Sequence, residues 1–361
     1  MRAAVIGTGL IGGSIGLALA GLGHDVVGFD RDHDRLVRAH ELGALGAMAD
    51  GVADAARGAD IAFVALPVGA IADAVVELLE AGVPIVTDVG SVKGPVVAEV
   101  ARRCPDGAAR FIGGHPMAGS EQDGIDGARA DLFVGAAWVL TPTPATGEAA
   151  YTVLRGLLRD LRAEVVAVTP DDHDVLVSFV SHVPQLAATT LMDVATTHEA
   201  RHGALLRLAA GGFRDMTRIA ASQPTIWLDI LTSNRDAILG ALDAYMSGLQ
   251  DARDLVAAGD REALRALLDR ARVARRSLPV GISMATKLVE LRIPVPDRPG
   301  VLAEVTTLAG RLGVNVADME IAHSGEGGAG VLVLIVAADD AVSFEAGLHE
   351  LGYHTGRTDI A

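Results

Sequence analysis

The 361 residues carry 30 Lys and Arg against 46 Asp and Glu, a formal net charge of -16, so there is no basic surface to neutralise nucleic-acid phosphates or dock on an anionic membrane. Half of the residues are hydrophobic and only 3% aromatic, which suits two or three domains with cores of Ala, Val and Leu. The single cysteine, Cys104, excludes a disulfide framework and a thiolate zinc cluster and fits a reducing, cytoplasmic setting.

Ala3 to Gly23 is uncharged after Arg2 and imitates a signal peptide or a short membrane span. Its seven glycines make a poor span and fall where a nucleotide-binding turn needs them. An apolar strand to Ile6 runs into Gly7-Thr8-Gly9-Leu10-Ile11-Gly12, a helix to Leu22, and a second strand ending at Asp30. In this dinucleotide fingerprint Gly7 permits a tight turn, Gly9 lets the backbone approach a pyrophosphate, and Gly12 lets helix pack on strand. Leu10 and Ile11 open the helix whose N-terminus meets the phosphates. Asp30 is placed to accept from the ribose hydroxyls and to repel a 2′-phosphate, which favours NAD over NADP, with Arg31 offsetting part of that preference.

The alternation continues with strands at Asp60 to Leu66 and Pro84 to Thr87 and helices at Ile71 to Glu80 and Pro95 to Arg103. Strand Ala136 to Leu140, helix Gly147 to Leu161 and strand Glu164 to Val168 close a domain over 1–168. Strands alternating with helices predict an α/β fold, a Rossmann-type doubly wound parallel sheet with ligands at the carboxyl ends of its strands. Asp88-Val89-Gly90-Ser91-Val92-Lys93 and Phe111 to Gln122, FIGGHPMAGSEQ, both fall there. His115 precedes a proline, which pushes it onto an extended loop leaving a strand, a good place for a proton-handling group. Ser91 reads as its neighbour or as a helix cap, and Lys93 as a solvated charge.

From Thr169 the pattern turns helical: Asp171 to Met192, Ala204 to Leu208, Pro224 to Gly248 and Arg261 to Ser277. This makes an all-helical domain over 169–285, of a kind that pairs across a dimer axis, so a homodimer is expected. Within it, His182 on an apolar helix reads as a core histidine. Arg218 reads either as a carboxylate ligand or as a salt-bridged surface residue. Over 288–361, after Lys287, the order βαββα with a last short strand at Tyr353 to Thr358 predicts a ferredoxin-like βαββαβ sandwich.

GTGLIGGSIG, DVGSVKG, GGHPMAGSE, SHVPQ and GGFRDMTRIA together resemble the prephenate dehydrogenase family of tyrosine biosynthesis. The tail from LRIPVPDRPGVLAEV resembles an ACT domain, a module that commonly binds amino acids. The resemblance implies an NAD-dependent oxidoreductase acting on prephenate, with His115 as the catalytic histidine, Ser91 orienting it, and Arg218 holding a substrate carboxylate. It places His182 and Gln185 along the substrate, where several members have a second histidine in place of Gln185. It assigns Asp297, Arg298, Pro299 and Gly300 to an amino-acid effector. Arogenate dehydrogenase is the alternative within the family. A β-hydroxyacid dehydrogenase should carry a catalytic lysine in the helical domain, and Thr169 to Ala285 contains none. A non-catalytic NAD and amino-acid sensor is the third reading.

Overall fold

The computed structural model describes residues 1–119, 124–202, 205–277, 288–296, 298–323 and 329–360. The chain divides into two compact units, Met1–Gln250 and Asp251–Ala361.

The first unit is built on eight strands: β1 (Arg2–Ile6), β2 (Asp25–Phe29), β3 (Ala47–Met48), β4 (Ile61–Val64), β5 (Val86–Asp88), β6 (Phe111–Pro116), β7 (Ala137–Thr141) and β8 (Glu164–Ala167). Their order is β3-β2-β1-β4-β5-β6-β7-β8. Helices α1 (Leu10–Gly21), α2 (His33–Glu41), α3 (Val52–Ala55), α4 (Val68–Glu80), α5 (Gly94–Arg103) and α6 (Glu148–Asp160) run between them. The period of two along each strand splits the core into two layers. Ala3, Val5, Ile61 and Phe63 face Leu19 and Trp138 on one side, whereas Ala4, Ile6, Ala62 and Val64 face Ile71 and Leu78 on the other. Strands buried on both faces carry no polar alternation, which is why β1 and β4 read as unbroken apolar runs.

The sheet departs from the expected all-parallel form at one joint, where β6 and β7 are antiparallel and pair His115 with Val139. The chain between them holds only a one-turn helix, Ile125–Gly127, among its described residues, and it brings β7 back beside β6 in the opposite direction. His115 accordingly lies within β6 and not on a loop beyond it. Short elements α2, β3 and α3 also lie between the expected ones.

Beyond β8 come α7 (Pro170–Val177), a π-helical turn at Ser178–His182, α8 (Val183–His202), α9 (Gly211–Thr217), a tight turn at Arg218–Ala221, α10 (Pro224–Ser233) and α11 (Arg235–Ala258). Ala204, in the segment read as helix, lies outside the described residues, as do Ser120, Glu121 and Gln122. The helix expected over Pro224 to Gly248 breaks at Asn234, which is 5% exposed and turns its amide inward. Pro170–Glu199 is long and apolar enough to cross a membrane by composition, yet His173 and Asp174 within it are buried and hydrogen-bonded in the protein.

The second unit begins within α11 and contains α12 (Arg261–Arg276). It then runs through β9 (Leu288–Pro296), α13 (Val301–Leu312), β10 (Val316–His323), β11 (Ala329–Ala337), α14 (Ala338–Glu350) and β12 (Gly356–Ile360). The antiparallel sheet has the order β10-β11-β9-β12, and Leu291, Ile293, Leu332 and Leu334 pack beneath Val305 and Phe344 of the two helices. This is the βαββαβ sandwich read from the tail, with the last strand starting three residues later than expected. Lys287 and the hairpin residues 324–328 lie outside the described residues.

Candidate active site

Gly7 takes a φ of +91°, and a Cβ there would run into the Ala65 carbonyl. A Cβ at Gly12 would strike the Gly7 carbonyl, so both positions require glycine for the turn to close on α1. At Gly9, the N-cap of α1, a Cβ would meet nothing within 4 Å, which leaves an open face at the helix N-terminus. Half-buried Leu10 and Ile11 pack this first turn onto the core. The Asp30 carboxylate accepts from Thr8 N at 2.7 Å, Thr8 Oγ1 at 3.2 Å and Asp32 N at 2.9 Å, tying the end of β2 to the glycine turn. The cation beside it is Arg35, at 3.8 Å, rather than the exposed Arg31.

At the end of β5 the sequence expectation for Lys93 fails. Its side chain is fully buried and ion-paired with buried Asp88, because the loop after β5 folds inward against β6. The lysine Nζ donates to Gly114 O at 2.9 Å, and Asp88 accepts from Gly90 N at 2.9 Å and Gly114 N at 3.2 Å. Both backbone polar groups of Gly114 are therefore held by one ion pair, one residue before His115. Burial pulls the Lys93 pKa down from 10.5, opposed by Asp88 and Asp174. A Cβ at Gly114 would lie 2.7 Å from Asp88 O, 2.9 Å from Thr87 Oγ1 and 3.1 Å from Trp138 Nε1, which explains the glycine before the histidine. Half-buried Ser91 sits inside this clamped loop.

The hydrogen-bond partner of His115 Nδ1 is His173 Nε2, at 2.9 Å, a residue the sequence patterns did not single out. His173 is 1% exposed and its Nδ1 lies 2.8 Å from Asp174 Oδ1. Asp174 also accepts from Lys93 N and Gly94 N, both at 2.8 Å, and so caps the start of α5. Burial is the main reason that the His115 pKa falls well below 6.5, with His173, Lys93 and His182 adding to it. The ring is therefore neutral at pH 7.

His182 is 1% exposed, as a core histidine should be, and its Nδ1 lies 3.2 Å from Asn234 Nδ2, which also donates to Asp174 O at 2.8 Å. Burial lowers the His182 pKa from 6.5 to about 4, with Asp174 opposing and His173 assisting. A histidine buried neutral binds fewer protons than the unfolded chain between those two values, so stability falls as pH drops from about 6.5 towards 4. Denaturation midpoints at pH 7 and pH 5 are expected to differ less in His182→Gln than in the parent. An identical difference would clear His182 of that role.

Gln185 is 6% exposed, so it does not point into bulk water. Arg218 is exposed and starts the tight turn between α9 and α10, not an apolar helix, and that turn lies against α8. On α8, Val183, Pro184, Ala187 and Ala188 join Phe179, Met216, Ile219, Ala244 and Tyr245 around an apolar cavity of about 480 Å³. Its lining holds no proton-handling pair. In the second unit, Gly300 takes a φ of +93° before α13, and Arg298 reaches Glu304 at 3.0 Å, which also accepts from Tyr353 at 2.5 Å. Asp297 lies outside the described residues.

A dinucleotide cradle after β1 and a half-buried neutral histidine in β6 of the same sheet define a Rossmann-type oxidoreductase. The sequence model for the prephenate dehydrogenase nucleotide-binding domain matches residues 15–167, that for the prephenate dehydrogenase dimerization domain 169–270, and that for the ACT domain 289–351. Prephenate dehydrogenase of Bacillus subtilis strain 168 is 34% identical over 340 residues, covering 92% of this chain and 91% of that protein. Among solved structures, Synechocystis arogenate dehydrogenase has a TM-score of 0.68 at 31% identity, covering 76% of this chain and 99% of its own. Prephenate dehydrogenase from A. aeolicus, in complex with hydroxyphenyl propionate and NAD+, has a TM-score of 0.71 at 28% identity, covering 76% and 97%. The chain belongs to the prephenate dehydrogenase family, with a C-terminal ACT domain.

Proposed function

We propose that this protein catalyses the NAD-dependent oxidative decarboxylation of prephenate to 4-hydroxyphenylpyruvate. The observation that carries this reading is a half-buried imidazole in β6, neutral at pH 7, on the sheet whose β1 runs into an open glycine cradle. Gly7, Gly9 and Gly12 with the start of α1 would hold the pyrophosphate of NAD, and Asp30 the adenine ribose. When bound, NAD supplies the hydride acceptor.

Prephenate is a dianion with a ring hydroxyl on a carbon that also carries hydrogen. His115 takes the hydroxyl proton as that hydrogen leaves as hydride, a carbonyl begins to form, and loss of carbon dioxide makes the ring aromatic. Ser91, in the clamped loop, orients the histidine. Arg218 holds a substrate carboxylate and supplies local positive charge to an acidic chain. Its alanine variant should raise KM more than it lowers kcat. His182 and Gln185 lie along the substrate. The reaction therefore calls on the chain for one proton acceptor and one carboxylate clamp.

The similarity to an arogenate dehydrogenase keeps that substrate as the second reading. Arogenate carries an ammonium where prephenate has a keto group, and a desolvated cation needs a carboxylate partner. Gln185 is buried and brings no negative charge, which favours prephenate. The test is kcat/KM for both compounds in the parent and in Gln185→Glu, with the variant shifting towards arogenate. A parent that prefers arogenate sinks the prephenate reading.

Asp30→Ser is expected to weaken NAD and narrow its advantage over NADP, since the ribose acceptor, the repulsion and the tie to Thr8 all go. Dissociation constants for both cofactors check this, and a parent that already prefers NADP contradicts it. We further assign the chain to a homodimer through its 169–285 region and an amino-acid effector to the 288–361 region, at Asp297 to Gly300. A solution mass of twice the chain is expected, together with inhibition by tyrosine or phenylalanine that is lost when residues 288–361 are deleted. A monomer contradicts the first assignment, and inhibition that survives the deletion contradicts the second.

A further inference from the structure

His115 works as a base only if the nitrogen facing the substrate carries a lone pair, and the groups that decide this lie one and two residues deeper. Asp174 is an acceptor only, so its 2.8 Å contact with His173 Nδ1 is a donation by the ring. A neutral His173 with its proton on Nδ1 has a lone pair on Nε2. The 2.9 Å contact at that atom is then a donation by His115 Nδ1, which leaves His115 Nε2 bare. The chain of bonds is anchored at its far end by the N–H groups of Lys93 and Gly94, which fix the Asp174 carboxylate at the start of α5.

We propose that His173 and Asp174 are positioning residues for the reaction: they hold His115 with its proton on Nδ1 and its Nε2 free for the substrate hydroxyl, and they take up the positive charge formed there. This rests on the reading of His115 as the base. The substrate O–H bond breaks and an N–H bond forms at Nε2, while the oxygen's electron pair completes the new C=O as hydrogen leaves the carbon with its pair to NAD. The Nδ1 proton passes to His173 Nε2, so the histidine pair gains one proton in all and its charge sits beside the Asp174 carboxylate.

The surroundings make this necessary. Among the described residues, the titratable groups facing His115 are His173 from α7, Lys93 from the loop before α5, with Asp88 behind it, and His182 from the π-helical turn. Burial, His173, Lys93 and His182 all disfavour a proton on His115, so the imidazole stays in its base form but would be a weak base alone. Asp174 is the carboxylate that reaches the far side of the pair, and it is 6% exposed, where water screens it little.

Asp174 also caps α5, so the clean variants are at His173. We expect His173→Leu to lower kcat on the order of 10²-fold, with KM for prephenate and NAD within about twofold of the parent. His173→Gln places an amide oxygen near the former Nε2 and should recover part of the loss. The double variant His115→Asn/His173→Leu should be no slower than His115→Asn, because both act through one proton. Losses that multiply in the double variant, or a His173→Leu enzyme with full kcat while His115→Asn is slow, would overturn the positioning role and leave the base assignment standing. Equal losses in the Leu and Gln variants that follow their melting temperatures would reduce His173 to a packing residue. Full activity of His115→Asn would overturn the base assignment itself.

Discussion

His115→Asn is expected to lower kcat by roughly 10²–10⁴ while leaving NAD affinity near that of the parent. Asparagine keeps a polar group near the position of Nδ1 and can still meet His173, so the strand β6 and its clamp should persist. It has no atom that can take the substrate proton. The cradle at Gly7 to Gly12 and Asp30 is built from other elements, so the cofactor has no reason to bind differently. Turnover at the parent rate would remove His115 from the mechanism.

The second large effect is expected at Lys93, and it is one of stability. Lys93→Met leaves the Asp88 carboxylate buried with only the Gly90 and Gly114 N–H groups, and breaking a buried pair from one side costs about 3–5 kcal/mol. At about 2–4 °C per kcal/mol for a unit of this size, the melting temperature should fall by on the order of 10 °C. Activity should fall with it, since the same ion pair fixes Gly114 beside His115. Replacing both partners, as in Asp88→Leu/Lys93→Met, should restore part of the stability because no lone charge remains. A single variant that melts within about 2 °C of the parent would show that the pair is dispensable.

Much of this was legible in the residues. The glycine turn could be read because backbone closure demands glycine at fixed spacing. The order of strands and helices followed from period, and the ACT-like sandwich from its alternation. Three features were hidden for physical reasons. The antiparallel β6–β7 joint leaves no trace in period, since a strand buried on both faces reads the same in either direction. Lys93 looked solvated because burial of a lysine depends on a partner, Asp88, whose approach is set by loop conformation. His173 and Asp174 sat in the run Asp171 to Asp174 at a helix start, where acids are ordinary companions of the helix dipole. The break at Asn234 was likewise masked by the apolar pattern on either side, although an asparagine amid such a stretch is a signal that a buried amide is needed.

The reading that ties these parts together is that this site oxidises prephenate and releases carbon dioxide in one turnover. It is tested most directly by incubating the purified protein with prephenate and NAD and following NADH, 4-hydroxyphenylpyruvate and carbon dioxide together. All three should form in equal amounts at a steady rate, and His115→Asn should slow all three alike. Binding of NAD and prephenate without any NADH, or NADH formed without the aromatic product, would contradict it.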